Sequence, residues 1–387
     1  MKKLTVTYRY LPLLILLFSF STKAQEYCIT SDYSPNKTLL LNTTHPDYSQ
    51  YAFCVKIYVH VIRKSNHTGG QSISDVNEAL SYLDVDFNPY NIYFDWDNVI
   101  NYIDNTSVYN NPAGNWETLQ EHEDGVDIYL FDDAVVHPIS GLGYGQTTNV
   151  GETSKLMVTG HFVGYEELLY SLPKSHILSH EMGHVFNLWH THHGADSNED
   201  PDACDEFVDG SNSDTCGDYI IDTPADPNMG YNVDLSNCEW LGSGYDGNNP
   251  PEAYDPDELN TMSYSHPYCM EYLTFEQSKR MKTALAVLPF LQLVSTYTNT
   301  EVDPCASSLL NYYPNSSNDA LNLDLTNKAY NTSYTFNLYD NYGNIVLSGE
   351  SQNVLNTFDV STLDEGTYYL HFYENGEVTI KQIIIDR

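Results

Sequence analysis

Along Cys54–Val61 the apolar residues Val55, Ile57, Val59 and Val61 alternate with a mixed set, a period of two that predicts a half-buried strand. Ser74 then precedes Asp75 and the apolar positions Val76, Leu80, Leu83 and Phe87, a spacing that predicts a capped amphipathic helix. Ile92–Trp96 and Val126–Phe131 read as further strands, so the chain opens as α/β, one sheet covered by a helix. Gly141, Gly143 and Gly145 lack the spacing of a nucleotide-binding loop and no helix pattern follows them; they predict a sheet-edge or rim loop. From Ala195 to Asn260 regularity stops: 18 acidic residues, no Lys or Arg, and the turn formers Asp209-Gly210, Asp246-Gly247 and Pro250-Pro251 predict little regular structure. Beyond Cys305 the period of two returns at Leu321, Leu323 and Leu325. Strands follow at Tyr334–Tyr339, Ile345–Leu347, Thr367–Phe372 and Val378–Ile385, with turns at Asp340–Gly343 and Asn375-Gly376, together predicting a small all-β sandwich.

Composition adds the compartment. The first 24 residues carry Lys2, Lys3 and Arg9, an apolar run over Leu11–Phe20, and small residues at Thr22 and Ala24. That order predicts an export signal cut between Ala24 and Gln25, and no later segment is apolar enough to span a bilayer. With 53 Asp and Glu against 16 Lys and Arg, the formal charge of −37 repels phosphate backbones, which excludes nucleic acid as a partner. Thirteen per cent aromatic residues, 33 of them Tyr, still give this acidic chain a core to bury. Its seven cysteines are an odd number, so outside the cytoplasm at least one must be free, shared or a ligand. The domain division that follows is a signal over 1–24, an N-terminal segment over 25–51, a main domain over 52–300 and the β-sandwich over 306–387.

Chemistry concentrates in His180-Glu-Met-Gly-His-Val-Phe-Asn-Leu-Trp-His190. His180 and His184, four apart, share one helix face and can bind one metal, while Leu178, Met182 and Val185 fall on a core face. On a continued helix His190 would lie about 9 Å further along and about 240° around, so the chain must turn. Asn187 stands where the break is needed, and Asn tolerates the left-handed conformation that ends helices. Three imidazoles on one Zn²⁺ leave a fourth position for water, the open geometry of a catalytic site, with Glu181 placed to take a proton from that water. His192 and His193 have no spacing of this kind and read as surface or supporting residues. In the acidic stretch two readings stay open, a solvated loop or one neutralised by Ca²⁺ on Asp and Asn oxygens.

The eleven residues from His180 resemble the metzincin pattern HExxHxx(G/N)xxH, and Asn260-Thr-Met-Ser-Tyr264 is similar to the Met-turn of that clan. Within it, Cys216-Gly-Asp-Tyr-Ile-Ile-Asp-Thr-Pro224, Cys269 and the closing segment Leu273–Met281 resemble the pappalysin-like (cytophagalysin) metallopeptidases, over roughly Cys54 to Leu293. The resemblance implies an α/β (α+β) zincin-like catalytic domain with active-site helix and Met-turn. It implies a secreted zinc endopeptidase cleaving peptide bonds in extracellular proteins, with zinc on His180, His184 and His190, Glu181 as general base, Met262 beneath the site and Tyr264 steadying the oxyanion. It further implies calcium among Asp218, Asp222 and Thr223, and a Cys238–Cys269 disulfide. Asn187 departs from the family, which usually has Gly there, and adds a side chain near the metal. Cys28 has two readings, a blocking ligand on the zinc of a latent precursor or one half of a disulfide. At the C-terminus, Tyr313-Pro-Asn-Ser, Tyr339–Gly349, Leu363–Tyr369 and Lys381–Ile385 resemble the sorting domain of the type IX secretion system, implying passage through that machinery to the cell surface or beyond and removal of the domain. Two rivals remain: a non-catalytic surface-binding protein on the same scaffold, and a zinc esterase or amidase.

Overall fold

The computed structural model describes residues 27–41, 44–119, 121–138, 140–163, 169–195, 203–298, 305, 311–314, 320–324, 334–340, 342–351, 355–374 and 377–385. The expected export signal and the Asn375-Gly376 turn lie outside them. In chain order the elements are α1 (Lys37–Leu41), β1 (Ala52–Arg63), α2 (Ile73–Phe87), β2 (Ile92–Asp95), β3 (Ile100–Asp104), α3 (Thr106–Asn110), β4 (Val126–Leu130), β5 (Gly145–Gln146), β6 (Lys155–Val158), β7 (His161–Val163), β8 (Leu169–Ser171), α4 (Ile177–Val185), α5 (Phe275–Val287), α6 (Pro289–Val294) and β9 (Ser295–Thr298). The C-terminal strands are β10 (Asn311–Pro314), β11 (Ala320–Asp324), β12 (Tyr334–Tyr339), β13 (Ile345–Ser351), β14 (Leu355–Asp359), β15 (Gly366–Glu374) and β16 (Glu377–Ile385).

The alternation read in the sequence belongs to β1, the spine of a mixed sheet ordered β2-β1-β4-β6-β5. β1 is long enough to serve four neighbours. Its first half lies between parallel β2 and antiparallel β9, its second between parallel β3 and β4. Val55, Ile57, Val59 and Val61 enter one apolar cluster with Leu178 and Met182 of α4 and Leu80 and Leu83 of α2. Ile62, of the opposite parity, enters another with Trp116, Tyr129 and Phe131. The sheet therefore has two buried faces. The sequence placed the cap of α2 at Ser74, but the cap is Ser72. Its hydroxyl accepts from Asp75 N at 3.2 Å while the Asp75 carboxylate accepts from Ser72 N at 3.1 Å, a reciprocal pair that Ser74 cannot make with its neighbour. Gly145 forms the sheet edge, as the glycine run suggested, through β5 antiparallel to β6.

Among the described residues no helix or multi-residue strand occurs between α4 and α5. Acidic side chains organise this stretch by accepting backbone N–H groups two residues on, as at Asp209 to Ser211, Asp226 to Asn228 and Asp234 to Ser236, the turn-forming habit of Asp. Disulfides Cys204–Cys216 and Cys238–Cys269 close it, and Cys54–Cys305 ties β1 to the chain beyond β9. The pairing of Cys238 with Cys269 is the one the resemblance implied. Cys28 is the free cysteine, so the disulfide reading of it falls.

The C-terminal strands form two antiparallel sheets, β10-β11-β14 and β13-β12-β15-β16. Leu321 and Leu323 of the first share an apolar cluster with Phe336, Leu338, Leu370 and Phe372 of the second.

Candidate metal centre

All nine residues of α4 are buried, and its last turn ends as the spacing requires: Asn187 has φ 69°. The reversal returns His190 to the pair on the helix. His180 Nε2 and His190 Nε2 each lie 3.1 Å from His184 Nε2. The opposite nitrogens are all tied outward to acceptors. His180 Nδ1 donates to the Thr261 carbonyl at 2.6 Å, His184 Nδ1 to the Leu188 carbonyl at 2.8 Å and His190 Nδ1 to the Asp32 carboxylate at 2.9 Å. Carbonyl and carboxylate oxygens can only accept, so these partners place the protons on Nδ1. Three Nε2 lone pairs then face one another in a buried space, an arrangement that is repulsive until a cation sits between them. Burial, and after it the neighbouring His190, pushes the His184 imidazole down to about 3, so it stays neutral.

Residues 260–264 support this from below. Thr261 supplies the carbonyl for His180, and Met262 packs so close to Gly183 that a Cβ there would lie 2.5 Å from its Sδ. Tyr264 stands over the group, its ring 4.6 Å from that of His190 and its hydroxyl donating to the Cys28 carbonyl at 2.9 Å. Glu181 is buried with Oε1 unpartnered, and burial lifts its carboxyl to about 7 against the hydrogen bonds it accepts. A Cβ at Gly145 would collide with this carboxyl, which explains the glycine.

The segment before α1, in which the sequence singled out Cys28 alone, fills the cleft. Gly145 N donates to the Tyr27 carbonyl at 2.6 Å and Ile29 N to the Gly145 carbonyl at 3.2 Å, so the segment runs parallel to β5. Its alternate residues point at the signature. Cys28 Sγ is 3.5 Å from His184 Nε2, Thr30 Oγ1 donates to Glu181 Oε2 at 2.9 Å, Asp32 accepts from His190, and Ser34 Oγ donates to Asn187 Oδ1 at 3.1 Å. Cys28, His180, His184 and His190 thus form one group able to hold an ion. Burial raises the Asp32 carboxyl, but the facing His190 and His193 outweigh it and hold it well below the usual range. His192 and His193 are buried: His192 stacks on His190 at 4.9 Å, and His193 Nδ1 lies 3.5 Å from Asp32.

The residues suggested for calcium fall into two settings. Thr223 Oγ1 donates to buried Asp218 at 2.9 Å, and burial drives the Asp218 carboxyl well up despite nearby Arg280. Asp222 instead accepts from Thr274 Oγ1 at 2.6 Å and Glu276 N at 3.0 Å, at the start of α5.

Residues 311–386 match a family model described as a secretion system C-terminal sorting domain. The chain is similar to curated proteins named extracellular metalloprotease. That of Sordaria macrospora is 25% identical over 60% of this chain and 75% of its own length, and that of Colletotrichum graminicola 26% identical over 59% and 74%. The Neurospora crassa protein of the same description is 25% identical over 60% of the chain and 75% of its length. No helix among the described residues is long and apolar enough to cross a membrane.

Proposed function

We propose that this chain is the latent form of a secreted zinc endopeptidase of the pappalysin-like metzincin kind, exported through a type IX system by residues 306–387. The observation that carries the reading is the convergence of three unprotonated Nε2 atoms, 3.1 Å apart in two of the pairs, in a buried pocket. Zinc held there by His180, His184 and His190 would supply a Lewis acid for the scissile carbonyl and lower the pKa of water. Glu181, its carboxylate facing that place, takes the proton and returns it to the leaving amine. Tyr264 already donates to a main-chain carbonyl, that of Cys28, and in the open cleft the same hydroxyl stabilises the oxyanion of a substrate. Cys28 would be a further ligand on that zinc, and Thr30 already donates to Glu181, so detachment of residues 25–51 would turn the enzyme on. Calcium in the acidic segment draws on Asp218 and Thr223; Asp222 is committed to α5.

The relatives' names and the sorting-domain match support export and metal-dependent proteolysis; the completeness of the site speaks against a surface-binding protein without turnover. Casein zymography of matured protein, with and without a chelator and beside Glu181→Ala, tests the reading. We expect clearing that the chelator abolishes and Glu181→Ala lacks despite keeping its zinc. Undiminished clearing by Glu181→Ala would end the proposed mechanism.

A further inference from the structure

A second group of ligand atoms converges on the sheet face opposite α4. His60 of β1 places Nε2 2.6 Å from Asp127 Oδ1, and His122, in the segment before β4, places Nδ1 2.6 Å from the same oxygen. The other oxygen of Asp127 accepts from His122 N at 2.7 Å. Parity brings them together: β1 and β4 pair in parallel with Tyr58 opposite Asp127 and His60 opposite Tyr129. All four thus project from one face.

We propose that His60, His122 and Asp127 hold a second metal ion, a divalent transition cation such as Zn²⁺. Three features point that way. The three ligand atoms lie within 4.8 Å of one another and come from three separate segments. Two imidazoles and a carboxylate are a donor set suited to zinc and its neighbours, with water completing the shell. Both rings are set in advance by stacking, Tyr58 on His122 at 3.6 Å and His60 on Tyr129 at 4.6 Å.

The surroundings permit an ion. Asp127 is fully buried but the His122 side chain is 35% exposed, which gives a way in. The neighbouring ammonium groups are already engaged, Lys56 by Asp124 and Lys155 by Glu121. An ion here pins the segment carrying His122 onto β1 and β4. It takes no part in the proposed peptide hydrolysis and does not depend on it.

The test counts metal. Full-length chain carrying Glu181→Gln, to prevent self-cleavage, is stripped with a chelator, dialysed against Zn²⁺, freed of excess by gel filtration and assayed by emission spectrometry. We expect about two zinc ions per chain, against about one in His122→Gln and in Asp127→Asn. Equal counts in parent and both variants overturn the site and leave a hydrogen-bonded His–Asp–His group. A His184→Ala arm separates the two centres: loss there with none at His122 sinks only the second site, and the reverse sinks only the peptidase reading. Should either sheet variant fail to fold by circular dichroism, Co²⁺ is titrated into the His184→Ala chain. A visible absorption band that saturates at about one equivalent supports the site, and no band overturns it.

Discussion

The two histidine groups differ in what faces the ligand nitrogens. At the cleft, every outward nitrogen donates to an oxygen, and the inward ones face each other and the Cys28 thiol, with no carboxylate among them. At the sheet, the inward nitrogens meet a carboxylate that can satisfy them without any ion. The first arrangement is unstable without a cation; the second is stable in either state and is set up to accept one. Convergent lone pairs are therefore a stronger sign of a resident metal than a mere gathering of His and Asp.

The sharpest way to break this contrast is chemical. In protein freed of residues 25–51, Glu181→Gln should lower kcat/KM by about 10²–10⁴-fold with zinc retained; a steady-state assay beside a metal count would show it. Chelation should abolish activity and zinc readdition restore it. If chelated protein still cleaves, the cleft differs from the sheet in geometry only. Next in size is Asp32→Asn in the full-length chain. Loss of the carboxylate behind His190 should weaken zinc there by about 10–100-fold, read by competition with a chromophoric chelator. No weakening would mean that His190 is held by packing alone. Smaller still, Gly183→Ala should destabilise by about 1–3 kcal/mol through overpacking against Met262, measured by urea unfolding. Tyr58→Ala should cost least, about 0.5–1.5 kcal/mol from lost ring stacking on His122.

What could be read from the sequence follows the range of the interactions. His180, His184 and the break at Asn187 are local, fixed by helical periodicity and one residue's tolerance of positive φ, and the structure brings His190 back as that predicts. The α2 cap was within reach too, since Ser72 and Asp75 form a capping box, whereas Ser74, nearer the apolar run, lies inside the helix. Cys28 was singled out with two readings open, but Thr30, Asp32 and Ser34 were not legible in their role, because their partners lie more than 150 residues away. Only their period of two hinted at an extended segment with one committed face. The resemblance implied Asp222 as a cation ligand, yet the helix start at Thr274, 52 residues on, claims its carboxylate. Charge in a sequence does not say whether a proton, a backbone amide or an ion answers it.

The Cys54–Cys305 bond spans 251 residues and fastens the spine of the sheet to the chain beyond β9. A protease trimming the exported product anywhere past that knot would discard the passenger strands without fraying β9, which stays buttoned against its neighbour. Delivery and durability are thereby uncoupled: the address can be torn off while the parcel stays sealed.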